Sequence, residues 1–391
     1  MKRLTSIAAA LLVGGPALVA CGVESTAPTG SGEAGDARAL SVDSSEEACE
    51  LSATEAPAGT ISFDVTNTGS QVTEFYLLAE DGLRIVAEVE NVGPSITRPL
   101  VANVPAGSYV TACKPGMTGD GIRSAFVVTE SDEEVEVSVD EDELIQTAQD
   151  NYAAYVQDQS DQLLVKTREF VALYEAGDDD EARALYADAR THWERIETVA
   201  ESFGDLDPRM DAREADLESG QEWTGWHLLE KDLWPERAED YTPLAPADRT
   251  TYGDDLLADT ETLDGRLQEL SFTVDQVANG SRGLLEEVAT GKVTGEEEFW
   301  SRTDLWDFQA NVDGARVGFD GVAPLLESKD PELAAQLTER FDELQVLLDG
   351  QRTDDGFRYY DELSPKEIKL LSDAVNALSE PLSRLTAAVL A

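Results

Sequence analysis

At about Glu141 the hydrophobic pattern of this 391-residue chain changes its period, and that change divides any fold it can adopt. Upstream, apolar residues alternate with polar ones in short runs. Ile61, Phe63 and Val65 form one, Glu74-Phe75-Tyr76-Leu77-Leu78 a second and Ile85-Val86 a third; Ala125-Phe126-Val127-Val128 follows, with Val135, Val137 and Val139 behind it. Turn strings such as AEDG, NVGP and VPAGS separate them, so residues 43–140 are expected to form a small β-sandwich. Downstream, Tyr152, Tyr155, Leu163, Leu164, Phe170 and Leu173 are spaced as one buried helical stripe. Gly177 with three aspartates after it ends one helix and opens the next, and Ser364-Pro365-Lys366-Glu367 is a capping box with proline at the first helical position. No β pattern interrupts this stretch. Residues 141–391 therefore predict an all-α bundle of about eight helices.

The N-terminus reads as an export signal over 1–21. Lys2 and Arg3 precede an apolar run from Ile7 to Leu12, and Leu18-Val19-Ala20-Cys21 has the form that lipoprotein processing requires. Cys21 is the expected lipid anchor, and the Ser/Gly/Thr-rich stretch over 22–42 a flexible tether. The body then works outside the cytoplasm, touching the membrane only through its lipid. Two cysteines remain, Cys49 and Cys113. In an oxidising compartment they favour a disulfide, while a metal site with Glu74 is the alternative. Cys113-Lys114-Pro115-Gly116-Met117 is similar to the copper loop of cupredoxins, but residues 22–140 contain no histidine, which excludes a type 1 copper site.

A net charge of −51 argues against nucleic acid and anionic membrane surfaces as partners and suits cations. Most of the carboxylates are expected to be solvated surface. The two histidines narrow the search. His227 and Glu230 stand at i, i+3 in GWHLLE; His192 lies beside Glu194 and Glu197 in HWERIE, on a different face, which suits a structural role. Helical bundles hold metals with such i, i+3 pairs, and Asp211, in the acidic connection GDLDPRMDARE, adds a fifth candidate. Trp193, Trp223, Trp226 and Trp234 surround these segments and read as packing aromatics.

The stretches YADARTHWERIETVAESFGDLDPRMDARE, GWHLLEKDLW and TDLWDFQANVDGA resemble the imelysin-type domain of the EfeO family of iron-uptake components. EFYLLAEDGLRIVAEVENVGPS, CKPGM and Gln351-Arg352-Thr353-Asp354-Asp355-Gly356-Phe357 resemble the same family, from about residue 45 to the C-terminus. The resemblance implies a multidomain chain, a small cupredoxin-like β-sandwich followed by an all-α imelysin-like domain. It implies iron (Fe²⁺ or Fe³⁺) as the metal, with copper or zinc as alternatives, and a membrane iron permease and a haem peroxidase as partners. Carried over residue by residue, the family's metal site falls on Glu194, Glu197, Asp211, His227 and Glu230, with Glu297 at a further acidic position. A second site or a disulfide falls on Cys49, Glu74 and Cys113.

Two other functions compete. In a zinc-dependent peptidase, H-x-x-E would be half of an inverted zinc-protease motif, but the fifth residue is Lys231 rather than histidine. A metal-free envelope lipoprotein acting through protein contacts is the other. The expectation is a binding component rather than an enzyme.

Overall fold

The computed structural model describes residues 37–78, 80, 85–117, 121–131, 139–217, 220–354 and 356–391. The signal segment at 1–21 with Cys21, and the tether up to residue 36, lie outside the described residues. The tether ends sooner than expected. Residues 39–44 are already a strand, because Leu40 and Val42 alternate inward with polar neighbours outward.

The β-rich part contains β1 (Ala39–Ser44), β2 (Cys49–Leu51), β3 (Glu55–Pro57), β4 (Gly59–Asn67), β5 (Thr73–Leu78), β6 (Ile85–Val92), β7 (Thr97–Val104), β8 (Gly107–Cys113) and β9 (Ile122–Thr129). One sheet runs β2-β1-β4-β7 and the other β3-β9-β8-β5-β6. Most neighbours are antiparallel, but β1 pairs β4 and β3 pairs β9 in parallel. Leu40, Val42, Ile61, Phe63 and Val65 of the first sheet meet Phe75, Leu77, Val89, Phe126 and Val128 of the second. Each such side chain taken from water contributes about 1.5–3 kcal/mol. The Phe63 ring lies 5.3 Å from Phe75 and 5.7 Å from Phe126, tying the two sheets together.

Cys49 and Cys113 are bridged, with their Cα atoms 5.5 Å apart, linking β2 of one sheet to the end of β8 in the other. The expected grouping of Glu74 with these cysteines is not what the strands produce. Cys113 faces its register partner Phe75 in the core. Glu74 instead keeps to the face of Tyr76, whose hydroxyl donates to its carboxylate at 2.7 Å. Burial raises the Glu74 carboxyl, against the lowering effects of that hydrogen bond and Lys114.

The helical part comprises α1 (Val139–Ala176), α2 (Asp179–Glu194), α3 (Glu197–Ala200), α4 (Asp207–Met210), α5 (Trp226–Leu233), α6 (Pro246–Leu267), α7 (Val274–Thr290), α8 (Asp304–Lys329), α9 (Pro331–Asp349), α10 (Pro365–Leu382) and α11 (Leu385–Leu390). Between α9 and α10 lies a small hairpin, β10 (Arg352–Thr353) with β11 (Gly356–Phe357). Val139, read as the last position of a strand pattern, is the first residue of α1. Ser364 does cap α10, accepting from the Glu367 amide. The buried centre of α8 packs against α1, α2, α7 and α9. α7 also carries the sandwich: Asp275 accepts from the Asn103 amide at 2.8 Å, Arg282 donates to the Glu88 carbonyl at 3.0 Å, and Arg98 pairs with Glu286. No helix among the described residues is long and apolar enough to cross a membrane.

Candidate metal centre

His227 is in the first turn of α5, entirely buried. Its position depends on Gly225, the cap of that helix, at φ 86° with the Met210 carbonyl packed where a side chain would begin. Only glycine allows that approach, and it sets α5 directly against the connection ending in Asp211. Nδ1 faces Glu230 Oε2 at 3.4 Å, one turn on. The other Glu230 oxygen accepts from the Trp300 and Ser301 amides at 2.7 and 2.6 Å, which fixes this carboxylate. On the far edge of the ring, Nε2 makes no hydrogen bond; Asp211 Oδ1 and Glu297 Oε1 each stand 3.4 Å from it.

Glu194 and Glu197 were expected to share one helix face. The helix breaks between them: Glu194 ends α2, Ile196 leaves helical geometry at φ −126°, ψ 12°, and Glu197 opens α3. α8 holds the break open. Asn311 donates to the Glu194 backbone carbonyl at 2.7 Å, and Gly314 lets the α8 backbone close on the Arg195 carbonyl with no space for a Cβ. Even so, the two carboxylates converge. Lys292 Nζ lies 3.0 Å from Glu194 and 2.9 Å from Glu197, and Asn311 Nδ2 donates to Glu197 at 2.9 Å. Oxygens of Glu194, Glu197, Asp211 and Glu297 all come within 4.8 Å of one another, as do ligand atoms of Asp211, His227 and Glu297. His227, Glu230 and Glu298 form a third such group.

Asp211 is brought in by two donors, Trp193 Nε1 at 2.8 Å and the Arg190 guanidinium, so Trp193 orients a carboxylate as well as packing. Arg190, itself fully buried, also pairs with Glu194 and lies 2.6 Å from Glu298, too poorly aligned there for a hydrogen bond. His192 is apart from all this. Its Nδ1 meets Gln159 at 2.9 Å, and burial, reinforced by Arg195, lowers its pKa to about 4.

Charge in this pocket is strongly redistributed. Burial, with Glu197 adding to it, pushes Glu194 up to about 8; burial pushes Glu197 and Glu230 up to about 7. Burial also opposes ionisation of Glu297, but Lys292, His227 and Arg190 overcome it and hold that carboxyl well below its usual range. Asp211 is lowered against its burial by Arg190 and His227. Burial and Arg190 disfavour a charged His227, yet Glu230, Glu297 and Asp211 around the ring raise it well above the usual imidazole value. The donors are hard carboxylate oxygens with one imidazole, a set suited to Fe²⁺, Fe³⁺, Mn²⁺ or Zn²⁺.

Several participants went unread in the sequence: Arg190, Lys292, Glu298, Asp304, Asp307 and Asn311. The run Glu296-Glu297-Glu298 was a signal, since consecutive residues outside a helix point different ways and two of these three turn inward.

Residues 148–385 match the imelysin family. This chain belongs to the imelysin family. The iron uptake system component EfeO of Escherichia coli O157:H7 is 36% identical over 362 residues, covering 90% of this chain and 92% of the relative. The component of the same name in Yersinia pestis is 36% identical over 363 residues, covering 91% and 92%. That coverage reaches well beyond the imelysin match, so the chain is of EfeO type as a whole.

Proposed function

We propose that this EfeO-type imelysin protein is the extracytoplasmic binding component of an iron uptake system. It takes Fe²⁺ or Fe³⁺ between Glu194, Glu197, Asp211, Glu297 and His227 Nε2 and passes it to a membrane permease, with a haem peroxidase as a further partner. The shared name of its relatives supports iron as the cargo. The observation that carries the reading is His227: a fully buried imidazole whose Nε2 has no hydrogen bond and is flanked at 3.4 Å by two carboxylates. Glu230, held by two backbone amides, accepts from Nδ1–H and so presents Nε2 to the cation. Cys21 supplies the lipid anchor. The β-rich part is read as cupredoxin-like in its two sheets and parallel strand pairs; with Cys49 and Cys113 bridged it has no thiolate for copper and serves as a docking module.

For a peptidase the position of the missing histidine matters. Lys231 there turns away, pairing with Glu214 at 2.5 Å and lying 5.1 Å over the Trp300 ring, and it cannot serve as a zinc ligand while protonated. Calorimetry with anaerobic Fe²⁺ tests the binding site. His227→Ala and Glu297→Gln should each weaken binding at least tenfold with unchanged helical circular dichroism, and wild-type affinity in both would overturn the assignment.

A further inference from the structure

Among the described residues, the carboxylates of this pocket meet three cationic side chains, Arg190, Lys292 and Arg213, and these are not equally free to yield to an incoming ion. Arg190 has 0% of its side chain exposed and Lys292 1%, whereas Arg213 has 29%. Arg190 is held among Asp211, Glu194, Glu297, Glu298 and Asp307, and Lys292 between Glu194 and Glu197; no side chain in either set is more than 10% exposed. Both cations are thus enclosed with their partners. Arg213 is placed differently, because its guanidinium bridges the pocket and its outside. Nη1 donates to Glu297 Oε2 at 3.4 Å, while Nε donates to Asp216 at 2.5 Å, and the Asp216 side chain is 50% exposed.

The backbone that carries Arg213 is tied down on both sides. Lys231 of α5 pairs with Glu214 at 2.5 Å, and the Trp223 indole donates to the Ala212 carbonyl at 2.7 Å. Gly291 lies beside the Arg213–Glu297 contact, where a Cβ would stand 3.5 Å from Glu297 Oε2 and 3.6 Å from Arg213 Nη1, so its missing side chain leaves room there. What can move at this wall is the Arg213 side chain itself. Its inner partner is the carboxylate that both larger ligand groups share: Glu297 converges with Asp211 and His227, and again with Glu194, Glu197 and Asp211. Oε1 of Glu297 faces His227 Nε2 at 3.4 Å, and Oε2 takes the guanidinium. A metal ion on the first oxygen and a guanidinium on the second would share one carboxylate at close range and repel.

We infer that Arg213 is the displaceable counter-ion of the metal centre: before an ion loads it neutralises Glu297, and as the ion loads it gives up that carboxylate and turns outward onto Asp216 alone. The inference rests on the reading of the pocket as a metal site. Arg213 is a positioning residue acting through Glu297, and Asp216 is the partner that receives it. The planar guanidinium suits this task, since its fixed fork of donors reaches both carboxylates at once and keeps one when it leaves the other.

A double-mutant cycle with Mn²⁺ as the probe gives the test. Calorimetry reads affinity, and stopped-flow tryptophan fluorescence reads loading, because the Trp193 indole donates to Asp211 inside the pocket. Arg213→Gln should bind Mn²⁺ at least about fivefold more tightly and load it faster, whereas Asp216→Asn, which removes the outer partner, should bind about fivefold more weakly and load more slowly. In the Arg213→Gln background the Asp216→Asn change should leave affinity and loading rate within about twofold, since its effect passes through the guanidinium. An Arg213→Gln protein that fails on either count would overturn the inference. So would an Asp216→Asn change whose effect, zero included, is the same in both backgrounds, as simple through-space charge would give. Wild type that binds no Mn²⁺ or Fe²⁺ at all would instead overturn the metal-site reading on which the inference rests.

Discussion

Lys292 sits in the short turn Lys292–Thr294, buried between Glu194 and Glu197, and is one of the two buried cations that make this pocket tolerable without a metal. Lys292→Met keeps much of the volume and strands both carboxylates. Breaking a buried pair this way costs about 3–5 kcal/mol. Thermal unfolding should show that loss in the metal-free variant and show most of it restored by saturating Mn²⁺, because the added cation meets the same carboxylates; a loss that metal leaves untouched would mean the cation does not reach Glu194 and Glu197. The same pocket sets a pH dependence. Glu194 at about 8 and Glu197 and Glu230 at about 7 lie above the ordinary 4.5, so the folded state holds protons that the unfolded chain has released, and stability declines as pH climbs through that window. His227, raised above 6.5, adds stability that is present below 6.5 and lost as pH rises through its folded value. Asp211 and Glu297 are depressed, and their contribution is lost in acid as pH falls through their folded values. The metal-free protein should therefore melt highest near about pH 5 and progressively lower toward pH 8, with bound metal flattening the fall. A melting temperature of the metal-free protein that rises over this range would contradict the charge assignment.

The elements that shape the pocket are held by backbone constraints as much as by packing. Gly225→Ala places a Cβ at φ 86° against the Met210 carbonyl, and α5 can then start only by moving away from Asp211. We expect about 3 kcal/mol or more of destabilisation. Metal affinity should fall at least tenfold even at temperatures where circular dichroism reports a folded protein; unchanged affinity would show that the α5 start does not position His227. At this scale the sequence was legible in its periods. The switch from alternation to helical spacing lies where α1 begins, and Ser364-Pro365-Lys366-Glu367 opens α10 because capping is a local matter of side chain and amide. The break between Glu194 and Glu197 was not legible, since Arg195 and Ile196 suit a helix well enough. It is imposed from α8 by Asn311 and Gly314, more than a hundred residues away. Arg190, Lys292, Asp304 and Asp307 were hidden for a related reason. In a chain this rich in charge, a single residue's burial depends on tertiary packing that spacing does not encode. Glu74 is grouped with the cysteines both as a candidate thiolate-site ligand and by resemblance, whereas strand alternation places it on the face of Tyr76.

Among the described residues, the sandwich and the bundle meet through α7 and α11, while the disulfide lies wholly within the sandwich. Replacing Cys49 and Cys113 together by alanine opens a loop spanning a sequence separation of 64 and should lower sandwich stability on the order of 4 kcal/mol in the chain-entropy model. The ion count of the bundle should be unchanged. A drop in bound copper or iron in that double variant would instead place a metal in the sandwich. The pocket, by contrast, draws on stretches of chain far apart in sequence: the end of α2, the connection before α5, α5 itself, the turn after α7 and the start of α8. Such a pocket is complete only after the chain has folded, and in the folded chain Arg190 and Lys292 supply positive charge at its centre. A zinc finger collapses when its ion leaves, because the ion is its core. Here Arg190 and Lys292 already place positive charge among the carboxylates, so under the proposed function the protein would stay folded when an ion leaves and be ready for the next.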